Sequence, residues 1–277
     1  MASKKKRLPI SVAMVIHNEE RLLARALDSC VDLVDDIVIV HDGKCTDNSL
    51  EIAKKYTSNI FIRPKAGAPE PHRPFSFAKA KNNWVLQLDA DEYLRNDFRK
   101  KLAQMIKRDV AGYVVEWIEE VGEKKIFNMI KEVLFQKNRI YYIGVPCEYV
   151  KPIDPAESLL FEPVGLINNA SQSNYHSWAS FIKKYSKLAT IQATYYTSPF
   201  SKVPVWNYSE KNWDFRTRIK INHPLLFGII GMNTKYVIGM LKKILGMPTD
   251  ASYSAMLHLM WYNTYLFWLV FQRRPRF

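Results

Sequence analysis

The chain has 277 residues, and 48% of them are hydrophobic, which is enough to bury a full core and excludes a disordered protein. Its formal net charge is +13, and residues 201–277 hold 11 Lys/Arg against three Asp/Glu, so most of the basic excess is C-terminal. The three cysteines, Cys30, Cys45 and Cys147, are odd in number and lie in no Cys-x-x-Cys spacing. This argues against a disulfide framework and a zinc site, and it favours a reducing compartment.

Apolar runs alternate with helical patterns along the first third of the chain. Residues 10–16 form an almost continuous apolar run, which predicts a strand covered on both faces. Apolar residues at helical spacing follow over residues 21–34, and a second strand is predicted at 36–40. A helix at 49–56 and a strand at 59–62 complete the pattern. This order predicts right-handed βαβ units and a parallel sheet.

Acidic and polar residues follow the predicted strands. Asn18 and Glu19 follow the first strand, Asp42 follows the second, and Asp89 and Asp91 follow an apolar strand predicted at residues 84–88. Because the carboxyl ends of parallel strands meet at one edge, where open α/β sheets bind ligands, we expect these side chains to share a crevice. Acids also cap helices and favour turns, which is the alternative explanation for the Asp89–Asp91 pair.

Asp89 and Asp91 are two residues apart, so on an extended backbone their side chains share a face. Two carboxylates there suit Mg²⁺ or Mn²⁺, which substrate phosphates commonly complete. The sequence has neither a Gly-x-Gly-x-x-Gly motif after the first strand nor a Walker A loop. A metal is therefore expected to hold a nucleotide diphosphate in place of a glycine-rich loop.

Three segments then carry a resemblance to a known family: Val15-Ile16-His17-Asn18-Glu19-Glu20, Asp42-Gly43-Lys44-Cys45-Thr46-Asp47-Asn48, and Asp89-Ala90-Asp91-Glu92. In order and spacing, residues 8–95 resemble the nucleotide-sugar half of a family-2 glycosyltransferase of the GT-A fold, in its lipopolysaccharide-core-like branch. The resemblance implies an α/β fold with a mixed, mainly parallel sheet flanked by helices. It also implies a nucleotide-sugar donor, with a UDP-sugar as the first candidate.

The resemblance also implies roles for single residues. Asp42 would hold the nucleotide base, Asp89 would lie near the ribose and the metal, and Asp91 would ligate the Mn²⁺ or Mg²⁺ that bridges the diphosphate. The family usually has an arginine ahead of the Asp pair, and Arg73 is the candidate, with Lys79 and Lys81 or simply solvated helix charges as alternatives. Further donor-site candidates come from the end of the first strand: Val15, His17, Asn18 and Glu19.

The acceptor side is expected between residues 96 and 200. An inverting transfer is a single displacement, and one carboxylate suffices as its general base. In the resembling branch a His-Glu pair lies on a strand corresponding to residues 141–150, and Cys147-Glu148 matches it with the His replaced, so Glu148 is the expected base. The alternatives are a surface glutamate paired with a lysine, or a base elsewhere: Glu116, Glu119 or Glu120. His176 is the candidate third metal ligand, with a structural histidine as its alternative.

Residues 223–277 contain two apolar, aromatic-rich runs flanked by basic residues. Neither run reaches the roughly 18–20 uninterrupted apolar residues of a spanning helix. Such segments suit helices lying in a membrane interface, and equally a helical subdomain packed on the core. No nucleic-acid motif is present, and we expect no nucleic-acid partner.

The sequence thus predicts a metal-dependent, inverting glycosyltransferase that uses a nucleotide sugar and a glycan or lipid-linked acceptor. Residues 1–200 would form the catalytic domain, with the donor half at 8–95 and the acceptor half at 96–200, and residues 201–277 a basic helical region. We expect a cytoplasmic protein, peripheral at the inner face of the cell membrane. One alternative is a sugar-phosphate nucleotidyltransferase, which would need a glycine-rich basic loop after the first strand. The other is a non-catalytic membrane-surface adaptor.

Overall fold

A computed structural model describes residues 7–121, 124–168, 178–213, 222–224, 226, 230, 232–245 and 253–273. The chain divides into two compact units. The first comprises residues up to 171 together with 204–207, and the second comprises 172–203 together with 208–277. The functional boundary expected at residue 200 stays a prediction.

The first unit contains the strands and the short helices. Its strands are β1 (Leu8–Ile16), β2 (Val34–Asp42), β3 (Ile60–Arg63), β4 (Trp84–Gln87), β5 (Glu92–Leu94), β6 (Gly112–Val121), β7 (Lys124–Gln136), β8 (Ile140–Ile143), β9 (Lys151–Pro152), β10 (Leu160–Asn168) and β11 (Val205–Trp206). Its helices are α1 (Leu23–Asp28), α2 (Ser49–Ala53), α3 (Arg73–Lys79) and α4 (Asn96–Met105).

Among the described residues, eight strands form one sheet in the order β3-β2-β1-β4-β7-β6-β10-β5, and β11-β8-β9 form a small second sheet. Strand β1 pairs in parallel with both β2 and β4, and β2 pairs in parallel with β3. Strand β7 is antiparallel to β4 and to β6, which makes the sheet mixed. The expected α/β fold, a mixed and mainly parallel sheet flanked by helices, is therefore confirmed.

Strand β1 lies near the centre of this sheet because both of its faces are apolar. Ile10, Val12 and Met14 point into the main core on one side, while Ala13 and Val15 pack into two smaller apolar clusters on the other. A strand covered on both faces reads as a continuous apolar run. The parallel pairing brings the carboxyl ends of β1, β2 and β4 to the same edge of the sheet, as the sequence predicts.

Several elements are shorter than their sequence patterns predict. The helix expected over residues 21–34 ends at Asp28, since Ser29 Oγ donates to the carbonyl of Ala26 and accepts from the N–H of Leu94, and Val34 already pairs with Leu8 in the sheet. The helix expected to reach residue 56 ends at Ala53. In both cases apolar spacing continues into the turn that follows the helix.

The strand expected over residues 141–150 is also shorter, because β8 ends at Ile143. Gly144 is the first residue after β8. Its N–H donates to the carbonyl of Pro204 at 2.7 Å, and a Cβ on it would lie 2.8 Å from the carbonyl oxygen of Glu70. Cys147 then adopts a φ of +64°. Glu148 therefore lies in a loop and not on a strand.

The second unit is helical, with α5 (Trp178–Tyr196), α6 (Met232–Ile244) and α7 (Tyr253–Arg273). Helices α5 and α7 share aromatic contacts and a buried hydrogen bond, in which Tyr262 donates to Oε1 of Gln192 at 2.7 Å. The rings of Trp178 and His258 stack with their centroids 3.9 Å apart. No helix among the described residues is both long enough and apolar enough to cross a membrane.

A test of the sheet concerns Asp36, which is 7% exposed on β2. Its carboxylate accepts from Ser11 Oγ at 2.6 Å, from the N–H of Lys81 at 2.9 Å and from Nδ2 of Asn59 at 3.0 Å. Asp36→Ala leaves these donors without their acceptor and should lower the free energy of unfolding by about 2–4 kcal/mol. Chemical denaturation measures this change.

The matched control is Asp109→Ala, because the side chain of Asp109 is 95% exposed and pairs with Arg139. The same substitution there should leave the unfolding midpoint almost unchanged. Equal losses for the two variants would contradict the structural role given to Asp36.

Candidate active site

The loops that follow β1 and β2 are joined by hydrogen bonds between their side chains and backbones. Asn18, at a φ of +58°, donates from Nδ2 to Thr46 Oγ1 at 2.8 Å and accepts from the N–H of Thr46 at 2.9 Å. The carboxylate of Glu20 accepts from both the N–H and the side-chain amide of Asn48. The first and second resembling segments thus form one surface above the sheet edge.

Two other candidates from the end of β1 have structural contacts. Val15 is buried against Val38 and Val40, so its side chain belongs to the core. His17 donates from Nδ1 to the carbonyl of Asp42 at 2.7 Å, and Lys65 Nζ lies 3.1 Å from its Nε2. Through this bond His17 ties the end of β1 to the end of β2.

Asp42 lies at the end of β2 and is 4% exposed. One carboxylate oxygen accepts from the N–H of Ala66 and from Nε2 of His72 at 2.8 Å, and the other accepts from the N–H of Gly67 at 2.9 Å. Burial raises the pKa of Asp42, but the hydrogen bonds from Ala66, His72 and Gly67 outweigh it, so the pKa lies below its usual value. Asp42 therefore organises the segment that connects β3 to α3.

Asp89 lies just beyond β4 between two cations. Arg73, at the start of α3, donates from Nη2 to its two oxygens at 3.0 and 3.3 Å, and Lys131 Nζ on β7 lies 2.7 Å from Oδ2. Burial raises the pKa of Asp89, but the charges of Lys131 and Arg73 hold it well below its usual value. Arg73 is thus held against Asp89 and is not a solvated helix charge.

Glu92 is almost fully buried beside this group. It accepts from the N–H of Asp89 at 3.0 Å and from Nε1 of Trp117 at 2.6 Å, and it pairs with Lys131. Burial raises the pKa of Glu92, and the opposing charge of Lys131 does not fully offset it. Burial lowers the pKa of Lys131, but the charges of Asp89 and Glu92 raise it above its usual value. Lys131 therefore compensates two acids at once.

Asp91 and Glu19 also have raised pKa values. Burial, followed by the charge of Asp89, raises the pKa of Asp91 against the opposing effects of Lys131 and an Asn168 hydrogen bond. Burial raises the pKa of Glu19 to about 7, with the charges of Asp91, Asp47 and Asp89 adding to it. The end of β1 therefore lies within electrostatic reach of the two aspartates after β4, as expected from the parallel sheet.

Other predicted residues fall elsewhere. Glu148 is half-buried in the loop after β8, and its N–H donates to the carbonyl of Val145 at 3.1 Å. His176 lies outside the described residues, so its expected metal contact stays a prediction. Glu116, a lesser base candidate, pairs with Arg95 at 3.0 Å. Within the described ranges, no group of three or more His, Cys, Asp or Glu side chains is placed to hold a metal.

Sequence reasoning missed Lys131 and Trp117. Lys131 is two residues before the buried Val133, so on an extended β7 the two share a face. A lysine at such an inward-facing position needs an acidic partner, since an isolated buried charge is costly. This signal was present in the sequence.

The model for Glycosyl transferase family 2 matches residues 11–151, more than half of the chain. An uncharacterized glycosyltransferase of Rickettsia typhi is 31% identical over 93 residues, which cover 34% of this chain and 31% of the relative. One of Haemophilus influenzae is 28% identical over 100 residues, covering 33% of this chain and 40% of the relative. The chain thus matches well under half the length of these relatives.

Among solved structures, S. aureus TarS 1–349 is 13% identical with a TM-score of 0.45, over 93% of this chain and 90% of that one. The family match rests on the segment that contains β1, β2, β4 and the acids at their ends. It confirms the resemblance to a family-2 glycosyltransferase drawn from the three sequence motifs, and with it the GT-A fold, while the lipopolysaccharide-core-like branch stays a prediction. The chain belongs to glycosyl transferase family 2.

Proposed function

We propose that the chain transfers a sugar from a nucleotide-sugar donor to a hydroxyl acceptor, with inversion and with the help of a divalent metal. A UDP-sugar is the first donor to test, and the acceptor is a glycan or a lipid-linked sugar. The observation that carries the proposal is the grouping of Glu19, Asp89 and Asp91 at the ends of β1 and β4, within the segment that matches the family.

The charges at this site fit a cation. Arg73 and Lys131 compensate Asp89, whereas the pKa values of Asp91 and Glu19 are raised, in part by mutual repulsion among the acids. Mg²⁺ and similar ions are commonly held by one or two carboxylates plus substrate phosphates, so a three-residue cluster is not required. Asp91 would hold Mn²⁺ or Mg²⁺ with support from Asp89. When bound, the metal would stabilise the charge of the departing diphosphate.

Asp89 is the proposed contact for the ribose. The paired contacts from Arg73 and Lys131 hold its carboxylate ionised and oriented, and the Arg73 guanidinium lies at the same edge for the diphosphate. Preorganised charges of this kind are worth most in a site that excludes water. Asp42 is the proposed contact for the nucleotide base. The N–H groups of Ala66 and Gly67 both donate to its carboxylate, so the base can reach that carboxylate only if one of these two hydrogen bonds breaks.

The acceptor needs a general base, because its hydroxyl loses a proton as it attacks the anomeric carbon. Glu148 is proposed for this step. Its loop follows Gly144, which is anchored to Pro204, so the position of the loop is tied to the small sheet. The proton would pass from the acceptor hydroxyl to the Glu148 carboxylate.

A nucleotidyltransferase and a non-catalytic adaptor both fit the candidate site less well. A nucleotidyltransferase would need a glycine-rich basic loop after β1, and His17-Asn18-Glu19-Glu20 is acidic there. A non-catalytic adaptor has no need of buried acids held by Arg73 and Lys131, since a buried ion pair adds little to stability. The variants below separate catalysis from scaffolding.

Asp91→Asn should remove most of the metal-dependent donor affinity while keeping the fold, because the amide preserves shape but not charge. Calorimetric titration with UDP-sugars, with and without Mn²⁺, should show a loss of at least about tenfold in the Mn²⁺-dependent part. Asp109→Asn, at an exposed aspartate, is the control and should bind normally. Unchanged Mn²⁺-dependent binding by Asp91→Asn would refute the metal assignment.

Lys131→Met should destabilise the protein by about 3–5 kcal/mol, because two acidic charges, those of the buried Glu92 and of Asp89, lose Lys131 as a partner, and only Asp89 keeps another, Arg73. Adding Glu92→Gln removes one of those charges and should recover part of the loss, whereas Lys131→Arg should be milder than Lys131→Met. Chemical denaturation of these three variants and of Glu92→Gln alone measures this coupling. Strict additivity of the two changes would show that Lys131 and Glu92 do not act as a pair.

Glu148→Gln should leave donor binding intact and abolish transfer, because the amide cannot accept the acceptor proton. Calorimetry with the donor measures the first, and nucleoside-diphosphate release with an acceptor-containing lipid extract measures the second. Glu116→Gln is the matched comparison at a carboxylate already paired with Arg95. Near-normal turnover of Glu148→Gln would assign the base to another residue.

A further inference from the structure

Helix α6 presents an apolar face to solvent. Val237, Ile238, Leu241, Ile244 and Leu245, the last directly after the helix, are between 42% and 73% exposed. At 100° per residue they fall within an arc of about 120°. Scattered exposed apolar residues are common, but a contiguous stripe of five large ones marks an interaction surface.

Helix α6 is fixed against α7 in the same unit. Nδ2 of Asn233 lies 3.1 Å from Thr264 Oγ1, and Nδ2 of Asn263 donates to Oδ1 of Asn233 at 3.1 Å. Gly239 permits close packing, because a Cβ there would lie 3.1 Å from the terminal methyl of Met256. At 100° per residue, Gly239 lies about 160° from the centre of the stripe, so the stripe points away from Met256 of α7. Asn233 lies about 80° from that centre, at the border of the stripe.

The charge of the second unit indicates the kind of surface that this stripe would contact. Residues 172–277 hold 14 Lys/Arg and three Asp/Glu, an excess of 11 out of the chain's +13. Lys242 and Lys243 lie in the last turn of α6, and Lys242 is exposed at the border of the stripe. Lysines at such a border can keep their charge in the headgroup layer while their aliphatic stems pack against apolar surface.

We infer that the outward face of α6 binds the surface of an anionic phospholipid bilayer. The stripe would enter the boundary between headgroups and acyl chains, and the basic residues would contact the acidic headgroups. A second copy of the chain is disfavoured, because two units of this basic excess repel each other. A nucleic acid is disfavoured because it has no use for five exposed aliphatic side chains.

The helix lies along the bilayer surface and does not cross it. Its 13 residues are about 20 Å long, against about 30 Å for the hydrocarbon core. This inference does not depend on the proposed chemistry, since it concerns only the second unit. Together with the proposed function, it places the enzyme where a lipid-linked acceptor is presented.

The test uses the full chain and sedimentation with vesicles of phosphatidylcholine alone or with 30% phosphatidylglycerol, an amount chosen to give about the surface potential of an anionic leaflet. The wild type should bind the anionic vesicles and bind the neutral ones at least about fivefold more weakly, and salt should weaken binding. Leu241→Glu should lose binding to both. Lys242→Gln should lose about fivefold on anionic vesicles only, the factor that corresponds to about 1 kcal/mol per basic residue.

The control is Ile62→Glu, which places the same charge at a 61% exposed aliphatic residue on β3 and should bind as the wild type does. Thermal melting checks that Leu241→Glu remains folded. Wild-type protein that does not sediment with anionic vesicles would overturn the inference. So would a lipid-free dimer that Leu241→Glu converts to a monomer in light scattering, because the stripe would then bury a second copy.

Discussion

The site depends on the compensation of buried acids by two cations from distant parts of the chain. Asp89 follows β4, Arg73 begins α3, and Lys131 lies on β7, yet all three meet within hydrogen-bond distance. A carboxylate without such partners in this position would neutralise by taking up a proton, since burial alone raises its pKa. The antiparallel β4–β7 pairing places Lys131 beside Asp89, where its charge keeps the Asp89 carboxylate ionised. The compensation is incomplete, because the pKa values of Asp91 and Glu19 are raised. A bound cation would favour their ionised form.

The parts of the fold and site that the sequence predicts are those encoded by local pattern. The continuous apolar run of β1 predicts a strand covered on both faces, and the βαβ order then brings Glu19, Asp42 and Asp89 to one edge. The position of Lys131 is not encoded in this way, because it follows from the antiparallel register between β4 and β7. Helix ends are also poorly predicted, as apolar spacing continues past Ala53 into a turn.

The two units divide the charge of the protein as they divide its structure. Residues 1–171 are close to neutral, whereas 172–277 carry nearly all of the basic excess. The first unit, which carries the proposed active site, is thus nearly neutral. A basic helical unit with an exposed aliphatic stripe concentrates attraction for an acidic surface in one place. The proposed substrate binding and the proposed membrane contact thus belong to different parts of one chain.

The ends of β2 and β4 are linked through His72 and Arg73, which are consecutive in sequence. The buried carboxylate of Asp42 binds Nε2 of His72, and the next residue, Arg73, binds Asp89. A change at Asp42 therefore alters the position of the arginine as well as any contact with a base. Because His72 lies at the start of α3, the Asp42 carboxylate also fixes where that helix begins. A substitution of Asp42 would accordingly have two effects, the loss of the proposed base contact and a displacement of Arg73. Only the second effect would change the contact between Arg73 and Asp89.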